Sequence, residues 1–120
     1  MTEKTVFEKI IDGELPCNKV MEDSDFLAFH DINPKAPIHI LVVPKKHFEN
    51  FQEVEPAIMA KMTEFIHNVA KLLGIDKSGY RLITNCGKNA GQEVMHLHFH
   101  MISGGEFTWS DKGVNPQSTF

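Results

Sequence analysis

The sequence contains few cysteines, which limits the covalent chemistry available to it. Its 120 residues include only Cys17 and Cys86, which are far apart and form no Cys-x-x-Cys pair. A disulfide framework is therefore not expected. The N-terminus leads directly into an amphipathic segment and lacks the apolar core of a signal peptide. A reduced, cytoplasmic location is the simplest interpretation.

Long apolar runs and basic clusters are also missing. No run approaches the roughly 20 apolar residues that a membrane-spanning helix needs, so a membrane is not expected as a partner. The net charge is −4, and the nearest approach to a basic patch is Lys45 and Lys46 with a lone Arg81. Binding to a nucleic-acid polymer usually needs a clustered patch and is not expected either. The net charge does not exclude binding of a small anionic ligand, because such binding depends on the groups at the site itself.

The pattern of apolar residues predicts one α+β domain over residues 1–120, with a C-terminal tail from about residue 104. We expect an antiparallel sheet of about five strands with one long and one short helix. The predicted helices cover residues 6–11 and about 56–73, and the predicted strands cover residues 19–22, 26–29, 39–43, 80–85 and 94–102.

Histidine is abundant, with seven residues in the chain, and three of them alternate with apolar residues in the last predicted strand. Successive side chains of a strand point to opposite faces. The three imidazoles should therefore share one face, and the apolar residues should pack on the long helix from the other. The segment is His96-Leu97-His98-Phe99-His100-Met101-Ile102.

Three interpretations of this segment differ in the chemistry they require. A purely structural role is disfavoured, because each buried imidazole needs partners for both nitrogens. Aligned histidines can bind zinc, with His39 as a further ligand. They can also act as nucleophile and donors toward phosphorus. Gly87 and Gly91 precede the strand, and a glycine loop can offer backbone N–H groups to an anion. Metal binding and nucleophilic catalysis both remain open from the residues alone.

The seven positions of this segment fit the His-φ-His-φ-His-φ-φ signature (φ, apolar) of the histidine triad (HIT) family. Four further segments resemble the family and follow in the same order along the chain: residues 6–11, 29–39, 43–47 and 85–94. The likeness extends from about residue 5 to Trp109. Length and motifs are most similar to the Hint branch, the nucleoside phosphoramidases. The resemblance implies chemistry without a cofactor or a catalytic metal.

The resemblance also implies roles for four histidines. His98 would attack the α-phosphorus of a nucleotide and form a nucleotidyl-imidazole intermediate, which water then hydrolyses. His100 would lie beside the phosphate, and His96 would orient His98 from behind. His39 would lie near the leaving group, although a half-buried strand histidine would have the same sequence signal.

A nucleotide site follows from the same resemblance. Asp31 would hold the ribose hydroxyls, although a loop aspartate often caps its own turn. Asn85 would bond the phosphate or the leaving group, and Gly91, Glu93 and Val94 belong to the loop that offers backbone donors to the phosphate. The apolar slot for the base would consist of Phe7, Ile10, Phe29 and Ile32.

Glu93 departs from better-known Hint-like proteins, and the resemblance also implies a second copy of the chain. Glu93 stands where serine is frequent, and it would either point away from the phosphate or bind a cationic group of the substrate. The resemblance implies a homodimer in which the long helix and residues 80–85 join the two sheets. Trp109, in the tail, would then shape specificity at the partner's site.

The expected activity is hydrolysis of purine nucleoside 5′-phosphoramidates to a nucleotide of the AMP or GMP type and an amine. One alternative is a dinucleoside polyphosphate hydrolase, which Gln92, as part of a Gly-Gln pair, mildly disfavours. The other is a nucleotide-binding partner or regulatory protein, in which turnover is incidental.

Overall fold

The computed structural model describes residues 3–105 and residue 107. Its five strands form one antiparallel sheet in the order β1-β2-β3-β5-β4. The predicted α+β class is therefore confirmed. The strands are β1 (Lys19–Glu22), β2 (Phe26–His30), β3 (Ile38–Pro44), β4 (Arg81–Ile83) and β5 (Phe99–Ser103), and the helices are α1 (Val6–Ile11), α2 (Pro56–Leu73) and α3 (Ile75–Ser78), with a 3₁₀ turn at Lys88–Ala90.

Helix α1 is short and depends on its N-cap. The Thr5 hydroxyl accepts a hydrogen bond from the Glu8 backbone N–H, and the Glu8 carboxylate accepts one from the Thr5 N–H. This capping box satisfies two backbone donors that a helix start otherwise leaves free. It fixes where the helix begins, so Phe7 is directed into the core.

Helix α2 has the predicted bounds. Pro56 occupies the first turn, where its missing N–H is not needed. Gly74 ends the helix with a φ of 73°, a left-handed conformation that favours glycine. Its buried face lies against one side of the sheet and contains Met62, Phe65, Ile66, Val69 and Ala70.

The sheet separates two apolar clusters. Leu97, Phe99 and Met101 pack in the cluster that includes the buried face of α2, as their alternation predicted. A second, smaller cluster contains Phe7, Leu27, Phe29, Leu41 and Val43. Helix α1 therefore covers the sheet on the side opposite α2. No helix among the described residues is long and apolar enough to cross a membrane.

Two strands are shorter than predicted, and one helix was not predicted. The strand predicted over residues 94–102 begins only at Phe99, because the backbone before it is tied to another loop: the Leu97 N–H donates to the Phe48 carbonyl at 2.7 Å. The strand predicted over residues 80–85 is confined to Arg81–Ile83. Helix α3 was not predicted; it follows Gly74 directly and buries Ile75. Of the predicted tail, only residues 104, 105 and 107 belong to the part of the chain that the structure describes.

Candidate active site

Four buried histidines form a row on the α1 side of the sheet. His39 belongs to β3 and His100 to β5, whereas His96 and His98 lie in the segment just before β5. The ring centroid of His100 is 5.2 Å from that of His98 and 5.2 Å from that of His39. Phe7 contacts both His98 and His96, with centroid distances of 4.9 and 6.1 Å. The three triad histidines thus share one side, although only His100 lies within a strand.

The hydrogen bonds of His98 determine which of its nitrogens is free. Its Nδ1 lies 2.7 Å from the His96 carbonyl oxygen. A carbonyl only accepts hydrogen bonds, so Nδ1 carries the proton and Nε2 carries the lone pair of the neutral ring. The Thr84 hydroxyl donates to the His98 carbonyl at 2.8 Å and holds the backbone at the same point.

A second chain of hydrogen bonds assigns the opposite arrangement to His100. The Lys35 backbone N–H donates to His39 Nδ1 at 2.9 Å, so the neutral His39 ring carries its proton on Nε2. His39 Nε2 is 2.9 Å from His100 Nδ1, which must then accept. His100 therefore carries its proton on Nε2. A lone pair on His98 and an N–H on His100 are complementary for nucleophilic attack and charge stabilisation.

His96 ties the site to its surroundings. Its Nε2 donates to the Pro44 carbonyl at 2.9 Å, and its Nδ1 is 3.4 Å from the Thr5 hydroxyl, which can donate to it. The N-cap of α1 and the end of β3 are thereby joined to the residue whose carbonyl orients His98. This geometry fits the orienting role that the sequence predicted for His96.

Burial keeps the imidazoles neutral. It lowers the pKa of His98, against the hydrogen bond to the His96 carbonyl and the charge of Asp31, which both raise it. The pKa of His100 is lowered to about 4, chiefly by burial and then by repulsion from charged His98 and His39. Burial also lowers the pKa of His39 and of His96. His98 and its neighbours are therefore uncharged near neutral pH.

The structure brings most of the predicted base slot to the same side as the histidines. Phe7 and Phe29 are in the smaller core cluster, and Ile10 and Val94 pack against it. Ile32 differs, because the residue is 89% exposed. Ile32 directly follows Asp31 in the chain, and its side chain is available to a ligand without displacement of the core.

The polar residues of the predicted nucleotide site have different degrees of burial. Asp31 is half-buried, with its Oδ2 3.4 Å from His39 Nε2. Asn85 is half-buried, whereas Gly91 and Glu93 are exposed. Gly91 has a φ of 80°, which explains the glycine there. Trp109 lies outside the described residues, so its predicted role stays a prediction.

Gln92 holds the glycine loop in place, a function that the sequence did not reveal. Its buried side chain accepts a hydrogen bond from the Gly87 N–H at 2.8 Å. The amide group donates to the carbonyls of Glu49 and Val94 at 2.7 and 3.0 Å. One side chain thus joins both ends of the loop to the segment after β3. The Gly-Gln pair in the sequence drew attention to Gln92, but its hydrogen-bond partners became apparent only in the folded structure.

Comparisons with known proteins agree with this geometry. The family model for the HIT domain matches residues 12–107. The chain belongs to the HIT family. An uncharacterized HIT-like protein of Helicobacter pylori is 60% identical over 99 residues, covering 82% of this chain and 95% of that protein.

Solved structures give the same result. A HIT family hydrolase from Legionella pneumophila is 38% identical, with a TM-score of 0.83 over 88% of this chain and 97% of that one. A histidine triad nucleotide-binding protein from Candida albicans is 27% identical, with a TM-score of 0.79 over 97% and 90% of the two chains. The protein is thus of the HIT hydrolase type.

Within residues 3–105 and 107 of this HIT domain, two groups of side chains bring three metal-ligand atoms within 4.8 Å of one another. In the group of Asp31, His39 and His100, Lys35 occupies the His39 lone pair, so a metal there would have to displace the hydrogen bonds just described. In the group of Glu8, His47 and His96, both rings donate from Nε2 to carbonyl oxygens, so each lone pair is on Nδ1, and that of His96 is 3.4 Å from the Thr5 hydroxyl. The donor chemistry thus suits the second group better.

The depressed histidine pKa values predict that this HIT domain loses stability in mild acid. Below the ordinary histidine pKa of 6.5, the unfolded chain takes up protons that the buried rings of the folded chain do not. The contribution of these neutral rings to the free energy of unfolding is therefore fully present above pH 6.5. The free energy of unfolding should fall between pH 6.5 and about 4, by at most about 1.4 kcal/mol per pH unit for each histidine.

Urea unfolding across this pH range measures the effect. His100→Asn should flatten the curve because it removes one of the titrating rings. His67→Asn, at an exposed position of α2, should leave the shape of the curve unchanged. A wild-type curve that stays level down to pH 4 would contradict the assignment of neutral buried rings.

Proposed function

We propose that this protein is a purine nucleoside phosphoramidase, which hydrolyses the P–N bond of nucleoside 5′-phosphoramidates through a nucleotidyl intermediate on His98. The observation that carries the proposal is the complementary pair of neutral rings. His98 has its lone pair on Nε2, and the adjacent His100 has its proton on Nε2. Binding alone requires no such nucleophile.

The first half-reaction forms the intermediate. His98 Nε2 attacks the α-phosphorus, and the P–N bond breaks with its electron pair on the departing nitrogen, which takes a proton from solvent and leaves as an amine. The His100 Nε2–H donates a hydrogen bond to the phosphate as negative charge develops there. The resulting phosphorylated imidazolium keeps its Nδ1 proton on the His96 carbonyl, which stabilises the positive charge.

The second half-reaction restores the enzyme. Water attacks the same phosphorus, the P–N bond to His98 breaks with its electron pair returning to Nε2, and one proton goes back to solvent. The neutral ring is then ready for the next substrate. Nothing in this sequence of steps needs a cofactor or a metal, because imidazole is both nucleophile and leaving group.

The rest of the nucleotide site is assigned by position. Asp31 would accept hydrogen bonds from the ribose hydroxyls, and the base would lie among Phe7, Ile10, Phe29 and the exposed Ile32. Backbone N–H groups of the loop held by Gln92 would contact the phosphate. Because Glu93 is exposed, its carboxylate can avoid the phosphate and attract a cationic group on the departing amine.

A substrate comparison with a His98 variant tests this function. Wild-type protein in chelator should release amine from an adenosine phosphoramidate faster than it cleaves a diadenosine polyphosphate. His98→Asn should reduce turnover at least about 10³-fold while AMP affinity changes little, since the nucleophile has been removed and the pocket kept. Fluorescent amine release and AMP calorimetry provide the two measurements.

Each contrary result has a distinct meaning. Turnover that requires added zinc would overturn the metal-free mechanism. Preference for the diadenosine compound would make the protein a polyphosphate hydrolase, and AMP binding without turnover in the wild type would make it a nucleotide-binding partner protein. The first result contradicts the proposed mechanism, and the other two contradict the proposed activity.

We also propose that the protein is a cytoplasmic homodimer joined along β4 and α2. Strand β4 is at the edge of the sheet, where unpaired backbone groups can accept another strand. Leu82 on this strand is 43% exposed and Leu72 near the end of α2 is 60% exposed. Exposed apolar side chains on the edge strand and on α2 favour contact with a second copy.

Sedimentation equilibrium tests the dimer. The wild-type protein should have twice the mass of one chain, and Leu82→Glu should shift the equilibrium to the monomer by placing a charge in the interface. Leu15→Glu, at another exposed leucine, should remain dimeric. A wild-type mass of one chain, or a dimer unaffected by Leu82→Glu, would overturn this assignment.

A further inference from the structure

Gln92 is a buried amide whose side chain uses both its donors and its acceptor within the protein. Its Oε1 accepts from the Gly87 N–H at 2.8 Å, and its Nε2 donates to the carbonyls of Glu49 and Val94 at 2.7 and 3.0 Å. Its backbone N–H donates to the Gly87 carbonyl at 3.1 Å. An ionised carboxylate cannot make this set of bonds, because the set needs two donors beside the acceptor.

The Gln92 side chain also belongs to a line of contacts between the segment before β5 and the segment after β3. In the same line, the Phe48 carbonyl accepts from the Leu97 N–H at 2.7 Å. His47 Nε2 donates to the Met95 carbonyl at 2.7 Å. The Gln92 contact differs from these two, because the same side chain continues to the start of the glycine loop. It therefore joins that loop to the backbone that leads into the histidine row.

The glycine loop has little else to hold its shape. No residue of its 3₁₀ turn, Lys88–Ala90, is buried, so apolar packing does not fix it. Its internal hydrogen bonds are short-range: the Ala90 N–H donates to the Gly87 carbonyl at 3.1 Å, and the Gly91 N–H donates to the Lys88 carbonyl at 3.0 Å. These bonds shape the turn but do not attach it to the rest of the domain. The side chain of Gln92 provides that attachment.

We propose that Gln92 is a positioning residue that holds this loop in the shape that receives the phosphate. The inference rests on the proposed function, which places a phosphate against backbone N–H groups of the loop. Such N–H groups bind an anion well only when their directions are fixed in advance, because the cost of ordering them otherwise reduces the affinity. Gln92 therefore contributes to recognition of the phosphate, and the base and sugar are bound independently of it.

Calorimetry with a pair of ligands tests this role. AMP and adenosine differ only in the phosphate, so displacement of the loop should weaken the binding of AMP alone. Gln92→Glu should reduce AMP affinity at least about 10-fold, because an ionised carboxylate leaves two carbonyl oxygens without a donor. Its adenosine affinity should stay within about 2-fold of the wild-type value, since the base slot is not altered.

Two further variants serve as controls. Gln92→Met keeps the length of the side chain without charge or hydrogen bonds, so a selective loss of AMP affinity in this variant cannot come from charge repulsion. Gln52→Glu adds the same charge as Gln92→Glu at an exposed position after β3 and should bind both ligands as the wild type does. Unchanged AMP affinity in Gln92→Met, or a parallel loss of AMP and adenosine binding in both Gln92 variants, would overturn the role.

The pH dependence of Gln92→Glu provides a readout that a general loss of packing would not change. A protonated carboxyl group can donate to one of the two carbonyls while its other oxygen accepts from the Gly87 N–H. Burial beside two carbonyl oxygens raises the pKa of the introduced carboxyl group. The AMP affinity of the variant relative to the wild type should therefore recover from about pH 8 to about pH 5.5. A ratio that stays constant would contradict positioning by hydrogen bonds.

Hydrogen exchange keeps this role distinguishable from the proposed activity, because it needs no substrate. The Gly87 amide, bonded to a buried oxygen, should exchange slowly in the wild type and at least about 10-fold faster in Gln92→Met. The Leu97 amide, bonded to Phe48, should change little. An unchanged Gly87 rate would overturn the inference even if the wild type released amine. Faster exchange together with selective loss of AMP affinity would support it even if the wild type released none, whereas a wild type that bound AMP no better than adenosine would overturn it.

Discussion

The hydrogen bond from His98 Nδ1 to the carbonyl of His96 is the contact on which the chemistry proposed for this site depends. It determines the tautomer of the buried ring and so leaves the lone pair on Nε2, where the proposed mechanism needs it. The carbonyl is available because the chain before β5 leaves the strand ladder and bonds to the segment after β3. A regular strand through residues 94–98 would have directed that carbonyl to a neighbouring strand. The irregularity is therefore part of the active site.

The two sides of the sheet differ in content: one side has the larger apolar cluster, and the other has the histidine row. Helix α2 packs against Met101 and its neighbours on one side, where the larger apolar cluster lies. The other side has the smaller cluster under α1 and the row of histidines. The capping box of α1 reaches His96 through Thr5, so the start of a six-residue helix supports the active site. Burial on this side also keeps the imidazoles neutral, which the proposed attack by His98 requires.

The sequence predicted the elements with strong periodicity and the residues of the histidine row. Helix α2 had the expected bounds because Pro56 and Gly74 mark its ends. The alternation of His98, Phe99 and His100 identified the two sides of the sheet. The sequence did not predict Gln92, Thr84 or the Lys35 backbone as partners, because their contacts join segments far apart in the chain. Local patterns contain no information about which carbonyl accepts from which ring.

The stereochemical course at phosphorus tests the central claim most directly. A nucleoside phosphoramidate is made chiral at phosphorus by sulphur in place of one non-bridging oxygen. It is hydrolysed in water labelled with an oxygen isotope, and the configuration of the nucleotide product is determined. Attack by His98 followed by attack by water inverts phosphorus twice, so the account predicts net retention. Net inversion would mean a single displacement by water, and His98 would then not be the nucleophile.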